Sequence, residues 1–490
     1  VALVAMSLFE LFKEFPMLNR LALFSVVLAL LQTSPAQTIY DLVIANGTVM
    51  DPESGVSAVR NLGITGGTIM AVTTDQLQGR QTIDATGLVV APGFIDLHQH
   101  SQDDASYRMK AMDGVTTALE LEIGTEDIDR WYDARAGKAL INYGASIGHP
   151  RVRMVVMHDT GDFLPNGDAA HKAATDAQIE EIIKQIDHGL QRGALAVGVG
   201  AAYTEAASPW EILQVFQVAA KYGASCHVHI RGQNGHVEGL QEVLADSAIS
   251  GAPLHVVHIQ STGQEATPHE LEMIRGARAH GLDVTTETYP YTAGMTAIDS
   301  AVVDNWVKVP GNSLSQLMWP ATGERLSRES YEKYRKQGGY IIMFSNTEEI
   351  VTGAIRDPLT MIASDGMIQN GKGHPRTAGT YSRILGHYVR ETHDLTLMDA
   401  LRKMTLMPAQ RLEKRDPAMK NKGRIREGAD ADITVFDPQT ITEKSTYEKP
   451  TTYSEGVKFV LVNGKLVVDK GQLVSGALPG QAVRAPIYGN

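Results

Sequence analysis

The chain has almost no cysteine: Cys226 is the only one in 490 residues. One cysteine excludes an internal disulfide framework and any metal or iron–sulfur site built from several thiolates, and we interpret Cys226 as a buried small apolar residue. Basic residues are also in deficit, since 44 lysines and arginines face 56 aspartates and glutamates for a formal net charge of −12. Nucleic acid is therefore not an expected partner, because its nonspecific binding requires a basic surface.

Long apolar runs are scarce too, and the one that stands out lies near the start. Arg20 precedes an apolar run at 21–31, and Ser34 and Ala36 stand at −3 and −1 to a cleavage position. This layout is typical of a secretory signal peptide, and the run is too short for an ordinary transmembrane span. We expect 1–36 to be a signal peptide with upstream residues, and the protein to be periplasmic or secreted with no membrane span after cleavage. An uncleaved N-terminal anchor is the alternative.

The composition and the order of apolar runs indicate the fold. Apolar residues make up 43% of the chain and charged residues 20%, which fits a globular protein with a substantial core. Strand-like runs broken by Asn-Gly and Gly-Gly turns lie in 37–92, and similar runs lie in 415–490. Between them, in 93–414, apolar runs alternate with longer helical stretches. We predict an α/β fold: a (β/α)8 TIM barrel over 93–414 and a small β-sandwich domain formed by both termini.

The barrel prediction depends on a count of about eight near-continuous apolar runs, as parallel strands covered on both sides have. A long stretch at about 292–350 separates the last two runs, and we predict that it is an insertion over the barrel mouth. The eight runs are 93–98, 115–122, 153–158, 194–200, 224–230, 254–259, 282–289 and 361–365.

The sharpest chemical signal is the pair His98 and His100, at the end of the first predicted barrel strand. Residues two apart on an extended chain project to the same side, and two imidazoles there can bind one divalent metal ion. An isolated His-x-His pair is more often a surface or hydrogen-bonded pair. Its place at a strand end favours the metal site, because catalytic residues of TIM barrels come from the carboxyl ends of strands.

Three further residues of metal-ligand type end predicted strands: His229, His258 and Asp365. So many ligand types on separate strand ends are not expected by chance. A rim histidine held by a hydrogen bond is the alternative for each one. His227 and His255 compete within the same two strands, and we favour the histidines that end the runs.

The second predicted strand offers two carboxylates on one face, Glu120 and Glu122. Two bound metal ions would call for an anionic bridging ligand, and the run at 194–200 has no lysine at its end to carry a carboxylate adduct. We prefer Glu122 because it lies nearer the strand's end. The choice between the two glutamates, and between one metal ion and two, stays open, and an ion pair at the rim is the alternative role.

These residues together resemble a known family. The HQH motif after PGFID, with the histidines and aspartate at later strand ends, is similar to the amidohydrolase superfamily. Within it, several segments between about 40 and 468 resemble the N-acyl-D-amino-acid deacylases (D-aminoacylases), most specifically around 365–376. Those segments are GVTT (114–117), RGALAVGVGAAYT (192–204), HIRGQNGHVEGL (229–240), ETYPYTAG (287–294), ASDGMIQNGKGHPRTAGTYSRILGHYVRE (363–391), LRKMTLMPAQRL (401–412) and GRIREGADADITVFDP (423–438).

The resemblance implies a fold, a cofactor and a ligand set. The fold it implies is a TIM barrel with a β-sandwich built from both termini, and the cofactor is Zn²⁺, one or two ions per chain. His98, His100 and Asp365 match one metal position, and His229 and His258 match the other.

The resemblance also implies the substrate contacts. Arg376, in HPR, matches the arginine that holds the substrate's α-carboxylate. Tyr203, and Tyr289 or Tyr291 in YPY, match tyrosines that line the substrate pocket. Gln260 stands where the family tends to have a lysine, so one cationic contact to a substrate carboxylate is lost here.

A second departure concerns Glu122, which stands where D-aminoacylases usually have a cysteine ligand. Glutamate is a harder ligand than thiolate and can bridge two cations, so this departure favours two zinc ions. As a hypothesis, a metal-activated water attacks the amide carbonyl while Asp365 acts as general base and then protonates the leaving amine.

The leading functional hypothesis is metal-dependent hydrolysis of N-acyl amino acids, D-amino acids included, with this small molecule as the expected partner. A cyclic-amide hydrolase or a dipeptidase on the same scaffold is the alternative enzyme. A third hypothesis is that the protein is not an enzyme but a catalytically inactive barrel that serves as a binding protein. The sequence leaves an oligomer open.

Overall fold

The computed structural model describes residues 38–232 and 237–488. The predicted signal segment, 1–36, lies outside the described residues. Within the described ranges, no helix combines the length and the apolar character that crossing a membrane requires.

Strands dominate both ends of the described chain, and strands alternate with helices through its middle. The strands are β1 (Ile39–Asp51), β2 (Val56–Thr65), β3 (Thr68–Thr73), β4 (Gln78–Asp84), β5 (Val89–Pro92), β6 (Phe94–Asp96), β7 (Val115–Thr125), β8 (Asn142–Gly148), β9 (Ala196–Gly200), β10 (Ser225–His229), β11 (Leu254–Val256), β12 (Val284–Thr288), β13 (Ala293–Ala297), β14 (Leu317–Trp319), β15 (Glu324–Arg325), β16 (Tyr340–Phe344), β17 (Thr360–Ile362), β18 (Ile368–Gln369), β19 (Lys372–Gly373), β20 (Ile433–Phe436), β21 (Val457–Val462), β22 (Lys465–Asp469) and β23 (Gln472–Leu473). The α-helices are α1 (Asp104–Met112), α2 (Ile128–Asp133), α3 (His149–Val156), α4 (Asp168–His171), α5 (Asp176–Gln191), α6 (Pro209–Lys221), α7 (Glu238–Ser250), α8 (Ile259–Gly263), α9 (Thr267–Ala279), α10 (Ala301–Trp306), α11 (Arg328–Gln337), α12 (Glu348–Arg356), α13 (Arg376–Arg383), α14 (Leu397–Met404) and α15 (Leu406–Leu412).

Eight parallel strands form the central sheet, in the order β17-β12-β11-β10-β9-β8-β7-β6. The sheet closes where Gln99, just after β6, pairs in parallel with Gly366, just after β17. There the backbone amide of His100 donates to the Gly366 carbonyl at 2.9 Å. All 11 residues of β7 are buried, as expected for a parallel strand covered on both faces. The structure confirms the predicted α/β class and TIM barrel.

The helices cover the barrel with one apolar face each, and α5 shows why such a segment is helical. The Thr175 side chain caps the first turn by accepting from the Gln178 backbone amide, and the Gln178 side chain accepts from the Thr175 backbone amide. Ile179, Ile182 and Ile186 recur at spacings of three and four residues and are all buried. That spacing places them on one stripe, which packs into the main core with the barrel strands.

The predicted third barrel strand is wrong. Residues 153–158 lie in and just beyond helix α3, and the third strand is β8. Pro150 sits in the first turn of α3, where its fixed φ and missing N–H favour a helix start. β8 does not match an apolar pattern because glycine and serine interrupt it, yet all seven of its residues are buried. A short apolar run alone does not separate a strand from a buried helix turn.

Both termini enter one sheet of nine strands, in the order β23-β22-β21-β20-β5-β1-β2-β3, with β4 paired to β1. Strand β5 shows how this sheet works, because its successive side chains face opposite sides. Val90 belongs to a core enclosed by the terminal strands themselves, together with Ile44 and Ile433. Val89 and Ala91 belong to the main core that the sheet shares with the barrel. The terminal sheet therefore has its own core and also packs on the barrel.

A separate unit of chain lies between the last two barrel strands, β12 and β17. It contains the sheet β13-β16-β14-β15 and the helices α10 and α11. Its core is aromatic, with Trp319 and Tyr334 stacked at 4.2 Å between ring centroids and Trp306 in the same cluster. This unit falls within the segment predicted as an insertion, 292–350.

The buried carboxylate of Asp432 joins the terminal sheet to the barrel. Its Oδ2 accepts from Asn142 Nδ2, in barrel strand β8, at 2.8 Å and from Lys422 Nζ at 2.7 Å. Its Oδ1 accepts from the backbone amide of Asn463, in the terminal sheet, at 2.7 Å. Lys422 also lies 2.9 Å from the more exposed carboxylate of Asp430.

We expect Asp432→Asn to lower the free energy of unfolding by about 2–3 kcal/mol, because asparagine has one acceptor oxygen and its NH2 group would face either the Asn463 amide or the Lys422 and Asn142 donors. Urea denaturation followed by circular dichroism measures the effect. Asp430→Asn is the matched control, and we expect it to cost under about 1 kcal/mol because that carboxylate is partly exposed. Equal losses in the two variants would contradict the structural role given to Asp432.

Candidate metal centre

Six side chains predicted from the sequence as metal ligands converge at the carboxyl end of the barrel. Each lies at or just beyond the end of a barrel strand, which is where parallel strands of a TIM barrel place their functional residues. Five of the six are buried, and the sixth, His100, is nearly so. The ligand candidates are His98 and His100 after β6, Glu122 in β7, His229 in β10, His258 after β11 and Asp365 after β17.

Glu122 lies at the centre of the cluster, with its two oxygens facing different histidines. Oε2 lies 3.1 Å from Nε2 of His98 and 3.2 Å from Nε2 of His100. Oε1 lies 2.8 Å from Nδ1 of His229 and 3.4 Å from Nε2 of His258. One carboxylate oxygen toward each pair of imidazoles is the arrangement of a ligand that bridges two cations.

Asp365 completes the side of the cluster nearest β6. Its Oδ1 lies 3.2 Å from Nε2 of His100 and 3.5 Å from Nε2 of His98. Its Oδ2 lies 2.8 Å from Nη2 of Arg376. Two groups of ligand atoms each fall within 4.8 Å of one another: His98 with His100 and Asp365, and His98 with Glu122 and His258.

The orientation of the two histidines of the HQH motif fits a cation. His98 turns Nδ1 toward Glu287 Oε1 at 2.6 Å, and His100 turns Nδ1 toward Glu120 Oε2 at 2.8 Å. With a proton on each Nδ1, both Nε2 lone pairs point into the cluster, where the two Nε2 atoms are 3.2 Å apart. Lone pairs that converge in this way suit a shared metal ion, and imidazole nitrogens with carboxylate oxygens suit zinc.

The charge of the cluster fits a cation as well. Burial would lower the pKa of His98, but the carboxylates of Asp365 and Glu122 outweigh it and raise that pKa to about 10. Burial likewise opposes, and Glu120 most strongly causes, a rise in the pKa of His100. Burial would raise the pKa of Glu122, yet the neighbouring imidazoles hold it well below its ordinary value. The carboxylates therefore favour positive charge here, which divalent cations supply.

Two of the ligand candidates have a left-handed backbone, His258 at φ 31° and Asp365 at φ 51°. Strand β11 ends at Val256, so the predicted strand at 254–259 is too long and His258 lies in a turn. Such conformations are costly for residues other than glycine and concentrate at functional sites.

Two buried glutamates hold the ligands in place; the sequence predicts Glu120 only as an alternative ligand and does not single out Glu287. Glu120 bonds His100 on one side and accepts from the backbone amide of Ile123 at 3.1 Å on the other. Glu287 bonds His98 and is buried. It too lies near the end of a barrel strand, β12, within the ETYPY segment, and that position was its only signal in the sequence.

The two competing histidines are placed elsewhere. His227 and His255 sit on neighbouring strands at paired positions, with ring centroids 4.5 Å apart. Both are fully buried and fall outside the two ligand groups. His227 lies two residues before His229 on strand β10, farther from its carboxyl end, and His255 lies within β11, three residues before His258, which follows the end of that strand.

The substrate residues implied by the resemblance are partly brought together. Arg376 is buried, with its guanidinium 4.5 Å from the ring centre of Tyr289. Its Nε and Nη1 have no hydrogen-bond partner among the described residues. Gln260 is buried beside them and donates from Nε2 to the Tyr289 carbonyl at 3.2 Å. The ring of Tyr203 lies 4.8 Å from the ring of His229.

Tyr291 is placed apart from these residues. Its hydroxyl donates to Glu443 Oε2 at 2.6 Å, and its ring packs edge-on against His374 at 5.2 Å. His374 accepts from the backbone amide of Arg376 through Nδ1 at 3.1 Å. Tyr291 therefore supports the segment that carries Arg376 and does not line the cleft.

A cleft opens beside the ligand cluster and is lined by Asp365, His229, His258 and Tyr203. Its opposite wall comes from the unit between β12 and β17 and is mainly apolar. None of the described residues that line the cleft is a lysine or an arginine. The apolar wall residues are Met295, Val302, Trp306 and Met343.

Comparison with known proteins agrees with this geometry. The model of the amidohydrolase family matches residues 89–467. The chain belongs to the amidohydrolase family. This membership confirms the resemblance drawn from the sequence, and it accounts for the barrel with ligand candidates at its strand ends.

Three relatives illustrate where this amidohydrolase lies within the family. It is 29% identical over 473 residues to the D-aminoacylase of Alcaligenes xylosoxydans xylosoxydans, covering 87% of this chain and 94% of that protein. It superimposes with a TM-score of 0.80 and 26% identity on an N-acyl-D-glutamate deacylase from Bordetella bronchiseptica solved with zinc and a phosphonate inhibitor, covering 91% of this chain and 100% of that one. A D-aminoacylase structure described by its binuclear metal centre gives a TM-score of 0.79 at 25% identity, over 91% and 100%.

We expect Glu122→Gln to lower the zinc content from about two ions per chain to about one or fewer, because a neutral amide is a poor bridge between two cations. Elemental analysis of protein purified in zinc-containing buffer measures the ratio.

Glu120→Gln is the matched control, since it changes the same residue type two positions away on the same strand. We expect it to keep the zinc ratio and to weaken affinity about 10–100-fold, because only the orientation of His100 is lost. An unchanged ratio in Glu122→Gln, or the loss of one ion in Glu120→Gln alone, would contradict the assignment of Glu122 as the bridge.

Proposed function

We propose that this protein is a zinc-dependent hydrolase that cleaves the amide bond of N-acyl-D-amino acids with neutral side chains. The observation that carries the proposal is the contact between Arg376 and Asp365, 2.8 Å apart, at the edge of the metal-ligand cluster. It sets a group that can bind a substrate carboxylate directly beside a group that can transfer protons. The D configuration is proposed from the relatives, which are named as D-aminoacylase and N-acyl-D-glutamate deacylase.

The six ligand candidates would hold one or two zinc ions, which lower the pKa of water and polarise an amide carbonyl. Burial would raise the pKa of Asp365, but Arg376 and His98 hold it well below its ordinary value. Its carboxylate is therefore ionised at neutral pH and can accept a proton from the attacking water. The same carboxyl group can then pass this proton to the departing amine nitrogen.

The guanidinium of Arg376 is suited to the substrate's α-carboxylate. Its Nη2 is taken by Asp365, while the buried Nε and Nη1 have no partner among the described residues. A buried donor without an acceptor is costly. Arg376 does not itself line the cleft but contacts Asp365, which does, so a substrate carboxylate that reaches past Asp365 would satisfy these donors with charge-assisted hydrogen bonds. Anchoring that carboxylate would position the scissile amide relative to the ligand cluster, because the amide nitrogen and the carboxylate are bonded to the same Cα.

Tyr203 is the group best placed to stabilise charge on the carbonyl oxygen. It lines the cleft beside His229. Burial, more than the neighbouring Glu122 carboxylate, raises the pKa of Tyr203 well above its ordinary value. The phenol therefore stays protonated and can donate a hydrogen bond to a developing oxyanion.

The cleft favours a neutral side chain on the substrate. Met295, Trp306 and Met343 offer an apolar wall, and no lysine or arginine is among the described lining residues. Gln260, where D-aminoacylases tend to have lysine, is neutral as well. An acidic substrate side chain would be desolvated in this cleft without a cationic partner.

A cyclic-amide hydrolase or a dipeptidase on the same scaffold is the second candidate. Arg376 favours a substrate with a free carboxylate, which a cyclic amide lacks and a dipeptide has. Activity on open-chain N-acyl amino acids therefore distinguishes the proposed deacylase from a cyclic-amide hydrolase. Dipeptides must be assayed beside them to distinguish it from a dipeptidase.

We expect the zinc-loaded protein to release amino acid from N-acetyl-D-methionine and N-acetyl-D-leucine. It should act at least about tenfold more slowly on N-acetyl-D-glutamate, since an unpaired buried charge costs more than the 1.4 kcal/mol that a factor of ten requires. Amine release from a panel of both enantiomers, with hydantoins and dipeptides included, measures kcat/KM. Preference for L-enantiomers, for glutamate or for cyclic amides would overturn the corresponding part of the proposal.

We expect Asp365→Asn to lower kcat about 100- to 10,000-fold, which is the range for loss of a general acid–base group. Zinc content should stay largely intact, because five other ligand candidates remain. Steady-state kinetics and elemental analysis on the same preparation separate the two effects. Near-normal turnover would show that another group transfers the proton.

A further inference from the structure

The barrel interior below the metal-ligand cluster is unusually polar along one line. His98 Nδ1 lies 2.6 Å from Glu287 Oε1, and the other oxygen of Glu287 lies 3.0 Å from Nε2 of His255. His255 Nδ1 lies 2.8 Å from Thr285 Oγ1, to which Arg411 donates from Nη1 at 3.3 Å. We call Glu287, His255, Thr285 and Arg411 the Glu287 column.

The strand register builds this column. His255 in β11 and Thr285 in β12 are paired positions of neighbouring parallel strands. Glu287 lies two residues beyond Thr285 on the same strand, so its side chain projects to the same face. The column therefore follows the barrel interior from its lower part up to His98. Arg411 is held at the lower end by Asp283, with contacts of 2.8 and 3.0 Å.

The hydrogen bonds of the column have one consistent direction. Arg411 can only donate, so the Thr285 hydroxyl accepts from it. The hydroxyl proton then faces two acceptors, His255 Nδ1 at 2.8 Å and the Leu254 carbonyl at 3.5 Å, and the shorter distance favours His255. His255 then carries its proton on Nε2 and donates to Glu287. A carboxylate only accepts, so Glu287 also takes the Nδ1 proton of His98. The column therefore fixes the Nδ1 proton of His98 and leaves its Nε2 facing the metal-ligand cluster.

We propose that Glu287 is a positioning residue for the metal centre, held by His255, Thr285 and Arg411 so that His98 keeps its Nε2 turned toward the bound cation. The inference rests on the proposed metal-dependent function. It assigns a purpose to a buried carboxylate and a buried histidine that would otherwise weaken the core of the barrel, where polar side chains are costly unless paired.

The partner of the second HQH histidine is held differently. Glu120 bonds His100, and its other oxygen accepts only from the backbone amides of Ile123 and Gly124, at 3.1 and 3.2 Å. His98 thus depends on a column of side chains that substitution can remove one at a time. The role of the column can therefore be tested by substituting residues that do not themselves bind the metal ion.

We expect Glu287→Gln to raise the zinc dissociation constant about 10–100-fold, because a glutamine oxygen accepts from one imidazole and its amide opposes the other. Competition between the metal-free protein and a chromophoric chelator measures this constant without substrate. Thr285→Val removes only the hydroxyl at the far end of the column, and we expect a rise of about fivefold or less in the same direction. Thr285→Val is also the second variant should Glu287→Gln fold poorly.

The matched control is Glu211→Gln. Glu211 is also buried, lies 2.8 Å from an imidazole nitrogen of His149 and is paired with Arg153, but it does not contact any ligand candidate. Both glutamine variants are expected to lower the unfolding temperature of the metal-free protein. Only Glu287→Gln should change zinc affinity.

Unchanged zinc affinity in Glu287→Gln, or an equal change in Glu211→Gln, would overturn the proposal. A wild-type protein that binds zinc but hydrolyses none of the amides in the panel would overturn the proposed function and leave this inference standing. The two failures are therefore distinguishable in one set of preparations.

Discussion

The site depends on one carboxylate buried among four imidazoles. Glu122 faces His98 and His100 with one oxygen and His229 and His258 with the other. A buried carboxylate is costly unless it is paired, and four imidazoles supply that pairing here. These histidines come from the ends of three barrel strands, β6, β10 and β11, and each has a ring nitrogen within 3.4 Å of Glu122. Where the relatives' motif suggested a thiolate, a carboxylate with two donor oxygens can join both metal positions.

This arrangement explains why the barrel interior is polar where barrels are usually apolar. His98 must face the cations through Nε2, so its Nδ1 needs an acceptor, which is Glu287. Glu287 needs a second donor, which is His255. Each buried polar group requires the next until the chain ends at Arg411 and Asp283, whose carboxylate is half-exposed. A polar column of this kind would support a buried metal centre, and its cost is offset only when every member is paired.

The sequence was sufficient to predict the barrel and the six ligand candidates because two simple rules apply to them. Parallel strands are buried apolar runs, and their functional residues lie at the carboxyl ends. It was insufficient for β8, because small residues such as Gly144 are buried without forming an apolar run. It was also insufficient for Glu287 and Tyr291, since their partners are distant in the chain. The Glu443 that binds Tyr291 lies 152 residues away, and no local pattern reports such a contact.

The fold separates the chemistry from the choice of substrate. Every ligand candidate belongs to a barrel strand or to the turn after it, where the closed sheet fixes its position. The apolar wall of the cleft comes from the unit between β12 and β17, which has an aromatic core of its own around Trp306 and Trp319. Residues of that wall can therefore change without disturbing Glu122 or its histidines. Arg376 stands between the two parts, because it contacts Asp365 on the chemical side and the substrate's carboxylate is expected on the other.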